Sequence, residues 1–287
     1  MASPDVTAFF DEATNTVTYI VADPATAACV VIDPVLDYDA AAGRTSRESV
    51  ERVIDFIQGG KLRLGLILET HVHADHLTAA QVLKDRLQGK TAIGVNTMAV
   101  QEVFTKLFNL ADIATDGSQF DRLLAADDVI DVGSISGRVL RTPGHTPGCS
   151  TYVIGDAAFV GDTLFMPDFG TARCDFPGGD AEILYDSIQQ IFALPDDTRL
   201  FMCHDYKAPG RDEYAWETTV AEQRSNNIHI HDGVSKKDFV AFRNERDSQL
   251  GVPKLILPAI QVNIQAGNMP PPEANGVSYL KIPINAL

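Results

Sequence analysis

Thr70-His71-Val72-His73-Ala74-Asp75-His76 is the stretch on which the reading of this chain turns. It follows Leu64-Gly65-Leu66-Ile67-Leu68-Glu69, an apolar run too short for a helix and aliphatic enough for a strand buried on both faces. A strand that ends in imidazoles and a carboxylate sets metal-ligand chemistry at the end of a sheet. There a loop aims the side chains and the strand holds them still. Neutral imidazole together with carboxylate suits zinc, iron or manganese rather than calcium or magnesium. A polar loop with surface histidines would use the same letters, but of the 7 His in the chain, His71, His73 and His76 all stand here.

Further along, Arg141-Thr142-Pro143-Gly144-His145-Thr146-Pro147-Gly148 places one His between two Pro-Gly turns. Residues that preset φ or permit φ > 0 hold its backbone on both sides, which makes His145 a candidate ligand. Asp162 follows a short strand and Gly161, and His204 follows Arg199-Leu200-Phe201-Met202-Cys203. Four times a short apolar strand stops at His or Asp, a repetition that chance explains poorly.

Around these points the pattern alternates between strands and helices. Thr14 to Ala22 and Ala28 to Ile32 read as strands joined through Asp23-Pro24, and Asp37 to Arg44 as a loop. Val50, Val53, Ile54 and Ile57 recur at helical spacing before Gly59-Gly60. Leu77 to Leu87 reads as a helix, Thr91 to Val95 as a strand, and Val100 to Leu107 as a helix with Val100, Val103, Phe104 and Leu107 inward. Cys149 to Ile154 and Ala157 to Val160 form a hairpin across Gly155-Asp156, and Asp180 caps a helix to Leu194. Asp212 to Arg224 is expected to be helical, with Trp216 and Val220 inward. Ser235 opens another helix ahead of Phe239 and Phe242, and Leu255 to Ile264 is apolar. The expected division is a catalytic domain over residues 1–224 and an extension over 225–287 packed on it, since about sixty residues bury little alone.

Composition narrows the functions open to the chain. Its 287 residues are 45% hydrophobic, enough for a sizeable core. The net charge of −16 and a pI near 4.7 repel nucleic acid and anionic membranes, so neither is expected as a partner. Met1 to Asp5 shows no leader pattern and no run is long enough to span a bilayer, so the expected location is cytoplasmic. Cys29, Cys149, Cys174 and Cys203 lack CxxC spacing and fit a reducing compartment, each packed as a small core residue.

Collected in order, the HxHxDH motif at His71, His73, Asp75 and His76, then His145, Asp162 and His204, resembles the metallo-β-lactamase superfamily. The resemblance implies an αββα sandwich with the metal at one end of its sheets. For dinuclear members it implies one ion on His71, His73 and His145, another on Asp75, His76 and His204, and Asp162 bridging. Two zinc ions so held make hydroxide near neutral pH, and glyoxalase II cleaves a glutathione thioester in this way.

Gly161-Asp162-Thr163-Leu164-Phe165, Gly170-Thr171-Ala172-Arg173-Cys174-Asp175-Phe176 and Cys203-His204-Asp205-Tyr206 are similar to the persulfide dioxygenases. The tail from Pro253 to Leu287 resembles the bacterial β-lactamase-hydrolase-like branch. This resemblance implies one Fe(II) on His71, His145 and Asp162, with glutathione persulfide and O2 as substrates and sulfite and glutathione as products. His73, Asp75, His76 and His204 would then orient the ligands rather than bind the ion. Arg173, Tyr206, Lys207 and Arg211 lie beside the ligand loops and are expected to hold the carboxylates of glutathione, with Asp175 fixing Arg173 by an ion pair. Homodimerisation is a further expectation from the family.

Overall fold

The computed structural model describes residues 3–286. Met1 and Ala2, where the absence of a leader was read, and Leu287, the last residue of the tail, lie outside the described residues.

The chain opens with β1 (Asp5–Asp11), a strand the sequence reading had not anticipated, followed by β2 (Thr16–Ala22) and β3 (Ala28–Ile32). Short β4 (Val35–Asp39) and β5 (Arg44–Ser46) precede α1 (Glu48–Gly59) and β6 (Arg63–Glu69). Next come β7 (Leu77–Thr78), α2 (Ala80–Leu87), β8 (Lys90–Gly94), α3 (Thr97–Leu107) and β9 (Arg122–Leu124). The second half holds β10 (Gly137–Arg141), β11 (Ser150–Ile154), β12 (Ala157–Phe159), α4 (Ala181–Phe192), β13 (Arg199–Phe201) and β14 (Glu217–Thr219). Helices α5 (Val220–Asn226), α6 (Lys236–Asp247) and α7 (Ile256–Asn263) close the chain.

Two sheets face each other. One has the order β1-β2-β3-β6-β8-β9, the other β10-β11-β12-β13-β14, and β5-β4-β7 form a small third sheet. Alternation along the central strands explains the layers: Leu68 packs between the two sheets with Val17, Tyr19, Tyr152 and Phe159, while Ile67 packs outward among Val53, Ile54 and Leu83. The opposite face of the second sheet is covered by Leu184 and Ile188 of α4 and Phe239 of α6. Helices therefore cover both outer faces, the αββα sandwich expected from the motif order.

Several local expectations gave way to pairing. Leu77 and Thr78 do not begin a helix, because they pair with Leu36 and Val35 of β4, and the pairing of β4 with β5 turns part of the expected 37–44 loop into strand. Residues 217–219 pair with β13 in place of helix, which starts only at Val220, where the Thr219 hydroxyl accepts from Glu222 N. Val103 and Phe242 face outward at 39% and 38% exposure: helical spacing marks a stripe, and the neighbours decide how wide it is. Asp180 caps α4 by accepting from the amides of Glu182 and Ile183, worth about 1 kcal/mol. The division expected at 224/225 falls inside α5. Among the described residues no helix is long and apolar enough to cross a membrane.

Candidate metal centre

The site lies where strands of both sheets end. β6 delivers His71 to His76, the loop between β10 and β11 carries His145, the 3-10 turn after β12 holds Asp162, and His204 follows β13. Gly161 has φ +53, and a Cβ there would stand 2.7 Å from Thr70 Oγ1, so only glycine lets the Asp162 turn close onto the end of β6. Gly144 has φ +140 and lies so near Leu184 that any side chain would overlap the backbone of α4.

Each ligand candidate is tied by one ring nitrogen and presents the other. His71 Nδ1 lies 3.0 Å from Thr70 Oγ1. His145 Nδ1 donates to the carbonyl of Arg173 at 2.8 Å, which fixes its tautomer and leaves Nε2 as a lone pair. His204 Nδ1 lies 3.1 Å from the carbonyl of Asn15 and 3.3 Å from Thr16 Oγ1. His76 Nδ1 lies 3.4 Å from Thr16 Oγ1 and 3.6 Å from Asp75 Oδ1.

The free nitrogens converge on carboxylates. Asp162 Oδ2 is 3.6 Å from His145 Nε2 and 3.9 Å from His71 Nε2. Asp162 Oδ1 is 3.3 Å from His204 Nε2, which is also 3.2 Å from Asp75 Oδ2. Donor atoms of His71, His145 and Asp162 lie within 4.8 Å of one another, as do those of His73, Asp75 and His76. His73 Nδ1, His76 Nε2, His204 Nε2, Asp75 Oδ2 and Asp162 Oδ1 are buried without a hydrogen-bond partner. Orphaned buried donors and acceptors are costly unless something satisfies them. A cluster of them with imidazole and carboxylate chemistry fits a metal ion.

Electrostatics separate the rings. Burial, then the neighbouring imidazoles, pushes the pKa of His71 well down, so it stays a neutral donor. His73 behaves oppositely: burial opposes its charge, yet Asp33 and Glu69 hold its pKa well above the usual histidine value. Its Nε2 lies 2.9 Å from Asp33 Oδ1 and 3.4 Å from Glu69 Oε2. Cys203 reaches within 3.5 Å of Asp33, burial and then the Asp33 charge raise its thiol pKa well above the ordinary value, and its sulfur lies within 4.8 Å of donor atoms of His73 and His204.

The sequence reading missed Asp33, which also accepts from Thr70 N at 2.7 Å and Thr70 Oγ1 at 2.8 Å. Asp33 ends an apolar strand just as Asp162 does, and that same signal could have found it. Asn263, whose amide meets the backbone of the HxHxDH loop, carried no signal at all.

The residues expected to hold glutathione differ in how free they are. Tyr206 stands 42% exposed beside the centre, its ring 5.8 Å from that of His204 and 5.2 Å from that of Phe169. Lys207 Nζ sits 4.4 Å from the centre of the Tyr214 ring. Arg173 forms the expected pair with Asp175, at 2.5 and 2.6 Å, and also donates to the carbonyl of Gly251. Arg211 is forked onto both Asp205 and Asp168. Both guanidinium groups thus already hold carboxylates of their own chain.

Fold and ligand order define a metal-binding enzyme of the metallo-β-lactamase superfamily, and the chain belongs to it: the superfamily pattern matches residues 12–204. A protein of Burkholderia pseudomallei named "probable metallo-hydrolase" is 52% identical across 98% of this chain and 99% of its own. Glyoxylase B2 of Dictyostelium discoideum is 49% identical over 93% and 92%. The β-lactamase hydrolase-like protein of Agrobacterium fabrum is 51% identical over all of this chain, which spans 66% of that longer protein. Persulfide dioxygenase ETHE1 of Bos taurus is 31% identical over 92% of this chain and 89% of its own. The crystal structure of ETHE1 from Myxococcus xanthus superimposes with a TM-score of 0.75 at 32% identity, covering 92% of this chain and all of that one.

Proposed function

We propose that this protein is an iron-dependent persulfide dioxygenase with one Fe(II) held by His71, His145 and Asp162. The observation that carries the reading is that triad, two imidazoles and one carboxylate with donor atoms within 4.8 Å of one another. Likeness to ETHE1 over most of the chain supports it. A ferrous ion on such a face would keep open positions for a thiolate sulfur and O2 together.

The overall reaction is glutathione persulfide plus O2 plus water giving glutathione, sulfite and two protons. The two sulfurs together lose four electrons, the terminal one leaving as sulfite and the inner one as the thiol when the S–S bond breaks, and O2 is reduced by four. The chain's own groups have definable tasks in this chemistry. Thr70 and the Arg173 carbonyl hold the His71 and His145 rings with Nε2 inward. Phe165, Phe169 and Tyr206 form an aromatic cluster next to His204 that would limit water beside a bound persulfide. Tyr206 and Lys207, which pair with no carboxylate among the described residues, are the groups assigned to a carboxylate of glutathione, whereas Arg173 and Arg211 would have to exchange an internal carboxylate for it. A cytoplasmic setting and a homodimer belong to the same reading.

A dinuclear zinc hydrolase acting on a glutathione thioester or lactone is the second reading, and a specific observation favours it. His73 Nδ1, His76 Nε2, Asp75 Oδ2 and His204 Nε2 are unpartnered, a donor set sufficient for a second ion. The metallo-hydrolase and glyoxylase names of relatives near 50% identity point the same way.

Oxygen uptake by protein loaded anaerobically with Fe(II), on addition of glutathione persulfide, separates the two when sulfite is quantified in the same sample. Stoichiometric uptake and sulfite, abolished in His71→Ala and Asp162→Ala, is the expected result. No uptake, with zinc-loaded protein cleaving S-lactoylglutathione, would sink the dioxygenase.

A further inference from the structure

The metal loops are gripped by polar side chains from beyond residue 224, on elements the ligand motifs do not reach. Asn263, the last residue of α7, is 3% exposed. Its Oδ1 accepts from Thr78 N at 2.9 Å, and its Nδ2 donates to the carbonyls of His73 at 2.9 Å and His76 at 2.8 Å. Residues 71–76 lie outside strand and helix, so these buried carbonyls have no ladder partner. A primary amide, with two N–H donors and an acceptor on one rigid plane, is the side chain that satisfies them at once. Holding the carbonyls of His73 and His76 fixes the backbone on which those rings stand. Their free atoms, Nδ1 and Nε2, are among the orphans facing the centre.

A second grip reaches the other side. Asp247 at the end of α6 is 4% exposed, and its Oδ2 accepts from Cys174 N at 2.7 Å. Its Oδ1 is held by the buried Arg243 at 2.7 and 3.0 Å, and Arg243 also donates to the carbonyl of Thr171 at 3.0 Å. Gly251 accepts from Arg173. These contacts fix residues 171–174, and the Arg173 carbonyl in that segment receives the Nδ1–H of His145.

We propose that Asn263 and Asp247 are positioning residues of the metal centre, so that the C-terminal helices set the direction of ligands on both sides of it. The proposal rests on the site binding a metal ion, and on neither iron nor persulfide. A side chain that merely packed α7 onto the core would be apolar at that depth, because burying an amide costs free energy unless its bonds are made. Here both donated bonds of the Asn263 amide go to the loop that carries the ligands, and the bond it accepts comes from Thr78, two residues beyond that loop.

Two isosteric variants test this on the full-length chain. Asn263→Asp keeps the shape and the acceptor for Thr78 N but sets an oxygen against two carbonyls, while Asp247→Asn keeps an acceptor for Cys174 N and loses the charge that holds Arg243. Co(II) is the probe. Its affinity is read by chelator competition, its coordination by the visible spectrum, and the fold by melting of the metal-free protein. The expected result is Co(II) binding weaker by about 10- to 100-fold in each variant, with altered visible bands and a metal-free protein that still melts cooperatively. Should Asn263→Asp not fold, Asn263→Ser is read in its place, since water can enter the space it leaves. Wild-type Co(II) affinity and spectrum in the folded variants would overturn the proposal. So would an affinity loss found only where the metal-free fold is itself lost, for that is what a purely structural residue would produce.

Discussion

His73 donates from Nε2 to the carboxylate of Asp33 across 2.9 Å, inside a core where both residues are at most 2% exposed. Asp33 has φ +51, a conformation Asp tolerates better than most residues, and this turns its carboxylate back under the end of β6 to meet both Thr70 and His73. Burial alone would raise its pKa; His73 and Thr70 hold it below the ordinary carboxylate value instead.

Asp33→Asn is therefore expected to be costly although it is isosteric. It leaves His73 with a weaker partner and turns an amide N–H toward the Thr70 donors. A loss of about 3–5 kcal/mol is the scale for breaking a buried pair by changing one partner. Urea unfolding of the metal-free protein measures it, and a loss under 1 kcal/mol would show that the contact is not held in solution.

Arg211→Lys separates a structural from a substrate-binding role. The guanidinium bridges Asp205, which is buried, and Asp168, and a lysine cannot fork onto both. Stability should fall by about 1–2 kcal/mol, while the KM for glutathione persulfide stays within about twofold. Lys207→Ala should do the reverse, raising KM several-fold at unchanged stability. Steady-state kinetics and thermal melting on both variants check the pair, and a rise in KM for Arg211→Lys with no loss of stability would exchange their roles.

His229 predicts a pH dependence. Its Nδ1 accepts from Thr171 N at 3.0 Å, which demands the neutral ring, and burial, then Arg243 and Arg246, lowers its pKa to about 4. Below about pH 6.5 the unfolded chain takes up a proton here that the folded chain refuses until about pH 4. Stability is thus full above that window and is lost as pH falls through it. Allowing for partial exposure, the loss between pH 7 and pH 5 is about 1 kcal/mol. In His229→Gln that contribution should vanish, and equal pH slopes for the variant and the wild type in denaturant titrations would refute it.

Much of the centre was legible from local signals. His71, His73, Asp75 and His76 are contiguous, His145 is bracketed by Pro-Gly turns, and Asp162 and His204 end short apolar strands, so one-dimensional pattern was enough to nominate them. Strands β2, β3, β11 and β12 were readable because their burial is nearly continuous, and β6 because its aliphatic run ends in the buried Ile67, Leu68 and Glu69. Strands β1, β4 and β14 were not: β1 is only half-buried along its length although it pairs with its neighbour β2, and β4 and β14 are short segments that exist through the partners they pair with.

What the sequence determined by itself is the superfamily, the layered fold and the set of donors offered to a metal, since ligand type and hydrophobic period are properties of neighbouring residues. Only the tertiary structure decided which nitrogen each histidine presents, that Asp33 and Glu69 engage His73, that Arg173 and Arg211 are spent on internal carboxylates, and that Asn263 reaches back to the ligand loop. Those are matters of direction and competition among buried polar groups. They are settled by which partners the packed chain brings within about 3 Å, a distance no spacing along the sequence encodes.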